Sequence, residues 1–179
     1  LNFRVFLFIF VPINLHKMEL KRVVVTGLGA LTPIGNNIQE YWNGLVNGKS
    51  GAAPITYYDT EKHKTKFACE VKNFNVEDFI DRKEARRMDK FTQYAIVASD
   101  EAIKDAGITG ENVDKYRVGV IWGAGIGGLE TFQEEVLNYA KGDGTPKFNP
   151  FFIPKMIADI APGQISIKNG IMGPNDTTV

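Results

Sequence analysis

The side chains in this sequence that could serve as nucleophile and base are few: one cysteine, Cys69, and two histidines, His16 and His63. A thiol paired with an imidazole would do acyl transfer, the ring drawing off the thiol proton. Cys69 sits in the strand-like "FACEV" without a glycine elbow, and His63 sits in a charged loop, so both read as structural rather than catalytic. A single cysteine also excludes an internal disulfide framework and any CxxC metal pattern, which suits a reducing compartment, the cytoplasm. No cofactor and no metal is expected.

Two further patterns could bind. "GAGIGG", Gly123 to Gly128, matches G-x-G-x-x-G between a strand and a helix, as in a phosphate-cradling dinucleotide fold. That fold needs a second strand after the helix, with an acidic residue about 20 positions on. Here the helix leads instead into "GDGTPKFNPFFIP", and close packing of helix on strand is the favoured role of the glycines. The second pattern is "DRKEARRMDK", which sets Arg82, Arg86 and Lys90 four residues apart with Lys83 and Arg87 on the neighbouring row. Glu84 and Asp89 dilute this basic face, which is either a solvated surface or a dock for an acidic partner.

The elements that position these residues read as an α/β protein. "RVVVTGLG", from Arg22, is a β-branched run closed by glycines, expected as a strand buried on both faces. "NNIQEYWNGLVNG" predicts a helix with Ile38, Trp42, Leu45 and Val46 on one side, Asn36 or Asn37 as N-cap and Gly48 at its end. Residues 49–66 read as a surface loop and "KFACEV" as a short strand. A long helix is predicted over about Lys83 to Ala106, stopped by Gly107. "YRVGVIWGAGIGG" predicts a second buried strand, residues 128–141 a helix, and a final helix starts near Pro154 at a first helical position.

With 179 residues, 44% hydrophobic and 23% charged, the chain can build one core. Lys plus Arg and Asp plus Glu are 21 each, so bulk charge gives no case for nucleic acid or an anionic membrane. The apolar run Val5 to Ile13 contains Pro12 and falls well short of the roughly 20 residues of a membrane helix. Residues 1–17, which include His16, are expected to be upstream sequence read in frame, with Met18 the natural start.

Four ordered blocks then carry a specific likeness: "KRVVVTGLGALTPIGNNIQEYWNGLVNGKSG", "RRMDKFTQYAIVASDEAIKDAG", "VGVIWGAGIGGLETFQEE" and "FNPFFIPKMIADIAPGQISIKNGIMGPN". In this order they resemble the N-terminal half of the β-ketoacyl-acyl-carrier-protein synthases, and "PFFIP" resembles the elongating type II enzymes of fatty-acid synthesis. The resemblance runs from Met18 to Val179. It implies a thiolase-like layered α/β fold, of which this chain holds the incomplete N-terminal half, and a homodimer. The implied chemistry is a decarboxylating Claisen condensation of an acyl thioester with malonyl-acyl carrier protein. A cysteine thiolate at a helix N-terminus holds the acyl chain, two histidines assist the loss of CO2, and backbone N–H groups form the oxyanion hole.

By the same resemblance the nucleophilic cysteine and both histidines lie beyond Val179, so residues 18–179 are expected to be a truncated synthase domain, inactive alone, with an apolar sheet edge left open. Ile126 matches the residue that gates the acyl pocket. Phe152 matches the aromatic that lines the partner subunit's pocket, and Lys83, Arg86 and Arg87 match the positions that dock acyl carrier protein. The competing readings are a synthase-like partner without a nucleophile, which binds acyl chain or carrier, and, more distantly, a nucleotide-binding protein. Departures from the family gather near the end. Pro162 stands inside an expected continuous helix, and Gln164, Asn169 and Asp176 replace expected histidine and aromatic residues. Altered sequence, divergence and gene decay are all compatible with them.

Overall fold

The computed structural model describes residues 21–108 and 111–179; the expected extension 1–17 and the start at Met18 lie outside the described residues. Helix α1, Ile38–Val46, begins where Asn37 accepts from Glu40 N while Glu40 returns its carboxylate to Asn36 N at 2.8 Å, a reciprocal cap. Its apolar side lies open, with Trp42 and Val46 exposed. Strands β1, Ala53–Pro54, and β2, Phe67–Ala68, pair antiparallel as a two-residue ladder, so "KFACEV" supplies less strand than its composition suggests.

The helix expected over Lys83 to Ala106 is divided. Helix α2, Arg82–Ala85, is capped by Asp81, and helix α3, Lys90–Asp105, starts afresh behind Asp89, whose extended backbone (φ −79°, ψ 162°) breaks the continuity. An aspartate side chain that accepts from Phe91 N of the next helix is the physical reason for the break. There follow strand β3, Val120–Gly123, helix α4, Leu129–Lys141, helix α5, Phe152–Met156, helix α6, Ile160–Asn169, and strand β4, Asn175–Thr178. Pro154 and Pro162 each fall within the first turn of their own helix rather than at a first position or inside a continuing helix. There the missing N–H has no intrahelical acceptor to lose, so Pro162 avoids the interior cost of about 3 kcal/mol.

β3 and β4 run parallel in the register Val120↔Asn175 to Gly123↔Thr178, joined by the long crossover through α4, α5 and α6. The expectation of a strand buried on both faces fails here. Val120 and Trp122 pack toward the core while Ile121 is 75% exposed, because only one face is covered. It fails more fully at residues 21–30, which carry no strand at all, with Val23 89% exposed. A buried strand needs neighbours on both sides. This segment instead rests on α3: an added Cβ would stand 2.3 Å from Ala102 O at Gly27 and 2.0 Å from Ala98 O at Gly29. Its amides reach carboxylates of that helix, Leu28 N to Asp105 and Ala30 N to Glu101, both at 2.9 Å.

The core lies where α3 meets α6. Ala95 and Ile96 pack on Ala161 and Ile165, with Ile80 and Ala85 beneath and Met88, Phe91 and Trp122 at the margin. The alanines on both helices let the backbones approach closely, and truncating Ile96 or Ile165 to alanine would cost about 2–5 kcal/mol. Asn175 pins β4 to this core through Pro162 O at 2.9 Å and Ser166 Oγ at 2.7 Å. Among the described residues no helix is long and apolar enough to cross a membrane.

Candidate functional site

The turn from β3 into α4, residues 123–128, is held at both ends. Ala124 N donates to Thr178 O at 3.0 Å, and Gly128 N donates to Met156 O at 2.9 Å. Gly127 has φ +89°, and a Cβ there would stand 2.3 Å from Met156 O; at Gly128 it would stand 2.3 Å from Lys155 O. These two glycines are therefore required by a close approach of backbone to backbone, as the packing reading expects. Gly125 meets nothing within 4 Å. Ile126 stands between them, 68% exposed.

The start of α4 is where a bound phosphate would lie in a dinucleotide fold. Here the amides of Leu129 and Thr131 are already engaged. Leu129 N donates to Gly127 O at 3.0 Å, and Thr131 donates to Asp89 Oδ2 through both its N at 3.2 Å and its hydroxyl at 2.5 Å. Asp89 is 8% exposed, so a buried carboxylate already holds the place of an anion and would repel a second one. The glycine pattern thus serves packing rather than a nucleotide.

An aromatic row continues from α4. Phe132 stacks on Phe152 at 6.2 Å, Phe152 on Phe148 at 5.7 Å, and Phe148 meets Tyr139 at 5.6 Å. Phe152 is half-buried in the middle of this row. Phe152 opens α5, and the end of α5 carries the Met156 carbonyl on which Gly127 and Gly128 rest, so Ile126 and Phe152 flank one junction.

The basic segment does not form one straight helical face, because of the break before Asp89. Arg82 pairs with Glu77 at 3.3 Å; Lys90 pairs with Glu130 at 3.0 Å and lies over the Tyr57 ring at 4.5 Å. The Arg87 guanidinium sits 5.1 Å from the centre of the Phe151 ring. Lys83 and Arg86 are exposed and, among the described residues, make no ion pair or ring contact. Two clefts flank the segment. One of about 420 Å³ is lined by Arg82, Arg86, Lys90, Glu130, Glu134 and Lys155. The other, about 340 Å³, has an apolar floor of Ile80, Met88, Ile96 and Ile160 with Arg87 and Phe151 at its edge.

Burial pulls the Lys90 ammonium down, but the hydrogen bond and charge of Glu130, with Tyr57 and Asp89 nearby, outweigh it and hold its pKa above the usual value. Burial, then a hydrogen bond with Tyr57, pushes the Tyr94 phenol up. Glu70 is held below the carboxylate range by the Thr56 hydroxyl at 2.7 Å and the Thr56 amide at 2.9 Å.

Cys69 is exposed beside β2, and the His63 ring lies obliquely on Tyr58 at 5.3 Å. No hydrogen bond joins them, and among the described residues no cluster of His, Cys, Asp and Glu could hold a metal ion. Of the departures near the end, Asn169 Nδ2 donates to Ile165 O at 3.0 Å, the Asp176 carboxylate accepts from Thr177 N at 2.9 Å, and Gln164 lines the apolar cleft. Sequence reasoning missed Asp89 and Thr131. Asp89 was visible as an N-cap, an aspartate ahead of an apolar-periodic run, yet it counts in the sequence only as a charge diluting the basic row.

This arrangement belongs to a known class. The described fold superposes on the ishigamide ketosynthase/chain length factor with a TM-score of 0.77 and 30% identity, over 87% of this chain and 39% of that one. A type II PKS acyl-carrier protein in complex with its ketosynthase gives 0.69 at 25% identity over 85% of this chain and 40% of that one. A β-ketoacyl synthase from Burkholderia phymatum STM815, 22% identical, gives 0.69 over 88% and 39% and shares the fold. The architecture is therefore that of the thiolase-like ketosynthases. The family model for the beta-ketoacyl synthase, N-terminal domain, matches residues 20–179, and the chain belongs to that family. It is 51% identical over 159 residues to 3-oxoacyl-[acyl-carrier-protein] synthase 2 of Staphylococcus aureus strain N315, covering 89% of this chain and 38% of that protein. The same synthase of Synechocystis sp. is 46% identical over 162 residues, 90% of this chain and 39% of that protein. The chain thus spans well under half the length of these relatives.

Proposed function

We propose that the protein carrying this chain is a chain-elongating condensing enzyme of fatty-acid synthesis. It joins an acyl thioester to malonyl-acyl carrier protein with loss of CO2, acting in the cytoplasm as a homodimer. The observation that carries this reading is the 51% identity to 3-oxoacyl-[acyl-carrier-protein] synthase 2 over 89% of the chain. It favours the condensing enzyme over a synthase-like binding partner, and the occupied α4 N-terminus disfavours a nucleotide-binding protein.

In this reading the present residues bind rather than react. Ile126, exposed on a loop clamped at both ends, gates the acyl pocket, and Phe152, from the aromatic row, reaches across the dimer to line the partner subunit's pocket. Lys83, Arg86 and Arg87 dock the acidic carrier, and Lys83 and Arg86, which among the described residues have neither an ion pair nor the ring contact that holds Arg87, are the freest to meet a new carboxylate. Exposed charge pairs of this kind are worth about 0.2–1 kcal/mol each and act more on encounter rate and orientation than on affinity.

The test is charge reversal at Arg86 and Arg87 to glutamate in the full-length protein. The KM for acyl-carrier substrate rises, roughly tenfold for about 1.4 kcal/mol of lost pairing, while small thioester surrogates keep their kinetics. Unchanged carrier kinetics would remove the docking assignment, and carrier binding without any condensation would favour the non-catalytic partner.

A further inference from the structure

We propose that Asp89 is a positioning residue for the acyl loop: one buried carboxylate ties the start of α3 to the start of α4 and so sets where Ile126 stands. The proposal rests on the reading of Ile126 as an acyl-pocket residue. Its structural half stands on Asp89 and Thr131 alone.

Asp89 Oδ1 accepts from Phe91 N at 3.4 Å, capping α3, and Oδ2 accepts from Thr131 N and Thr131 Oγ at 3.2 and 2.5 Å, capping α4. Both residues are buried, at 8% and 6% exposure. An ionised carboxylate is acceptor-only, with lone pairs enough for donors from two helix starts, and each start carries a partial positive charge that favours it. A Cβ at Gly128 would lie 3.0 Å from the same Oδ2, so the carboxylate presses on the end of the loop itself. The neighbouring positions repeat the link, Lys90 on α3 meeting Glu130 on α4 at 3.0 Å. Between the Ala124 and Gly128 anchors, Ile126 can move only as far as the start of α4 lets it. The loop has no other side-chain anchor among the described hydrogen bonds.

Asparagine at position 89 keeps the shape but offers one carbonyl oxygen where two acceptor oxygens stood, and its NH2 must face either Phe91 N or Thr131 N. One cap is lost, which lowers local stability roughly fivefold, a typical capping effect. The experiment compares Asp89→Asn, Thr131→Val and Thr131→Ser with Ile126→Ala in the full-length protein. Amide exchange at residues 128–132 and the ratio of kcat/KM for long against short acyl thioesters are measured, the latter with small surrogates so that carrier docking does not enter.

The expected result is roughly fivefold faster exchange in Asp89→Asn and Thr131→Val, with a shift of the chain-length ratio by a comparable factor. Thr131→Ser, which keeps the hydroxyl, restores both. Faster exchange with an unchanged ratio, while Ile126→Ala moves that ratio, would overturn the positioning role and leave Asp89 a plain helix cap. Unchanged exchange would overturn the anchor. If Ile126→Ala also leaves the ratio unmoved, the acyl reading of the loop falls, and with it the selectivity half of the proposal, whereas exchange still decides the anchoring half. Should Asp89→Asn fail to fold, Thr131→Val tests the same bond from the donor's side.

Discussion

Gly29 lies with its backbone against Ala98 of α3, and Gly127 lies with its backbone against Met156 at the end of α5. Both turns follow β-branched runs, and both are held by carboxylates that α3 or its cap supplies: Asp105 and Glu101 for residues 28 and 30, Asp89 for Thr131. Yet residues 120–123 form a strand and residues 23–26 do not. The difference is the partner. β3 finds β4 alongside and α6 beneath, whereas Val23, Val24 and Val25 have no strand beside them among the described residues and stay exposed. Strand propensity proposes a strand, and a hydrogen-bonding neighbour makes one.

The sharpest way to break this parallel is steric. Gly127→Ala adds a Cβ 2.3 Å from Met156 O at a residue already in the left-handed region, so the loss combines strain with a forced backbone shift, about 3 kcal/mol or more. Gly29→Ala meets Ala98 O at 2.0 Å without the φ strain, for a loss of about 1–3 kcal/mol. Gly125→Ala, with nothing within 4 Å, should change stability by less than about 0.5 kcal/mol. Urea unfolding of the three variants measures the order, and an equal loss at Gly125 would contradict the close-approach account.

A smaller effect separates the two carboxylate systems. Glu101 accepts from Ala30 N and Ile38 N, both at 2.9 Å, and so carries the first turn's entry into α1. Glu101→Ala strips both acceptors and should cost about 1–2 kcal/mol, with faster proteolysis confined to residues 21–37. Loss of protection near α4 instead would mean that the two turns are coupled rather than independently tethered.

What could be read beforehand follows the same division. Local signals held: Asn37 as a cap, Gly107 at φ +66° behind α3, and the helix from residue 129 to 141 all depend on neighbours within a few positions. Asp89 is local too, but its second bond joins residues 42 positions apart. Charge composition alone reads it as a diluting carboxylate. The two valine-rich runs are indistinguishable by pattern, since what separates them is a strand supplied by residues 175–178. Of the candidate site, the basic row is visible by residue type, whereas Ile126 is singled out only by the family resemblance. That Lys90 is spoken for by Glu130 and Tyr57, while Arg86 has no ion pair among the described residues, required the fold.

The smallest effect lies in the same link, at alkaline pH. The Lys90 pKa is raised in the folded state by Glu130 against the pull of burial, and the Tyr94 pKa is raised by burial and by Tyr57. For both groups a raised folded pKa means the native state holds its proton more tightly. Their contribution to stability is then complete below the unfolded values, about 10 for Tyr and 10.4 for Lys, and is lost as pH climbs through the folded values. Stability of the region around α3 and α4 should therefore decline from about pH 10 upward. Tyr94→Phe removes the larger part of that slope, and Glu130→Gln the smaller, since Lys90 is partly exposed and its pairing is screened. Raising the salt concentration should flatten the Glu130-dependent part and leave the Tyr94 part standing, because burial and not an ion pair is the first cause of the tyrosine's shift. A slope that both variants leave intact would locate the alkaline sensitivity elsewhere, and would separate the α3–α4 link from the charge pairs beside it.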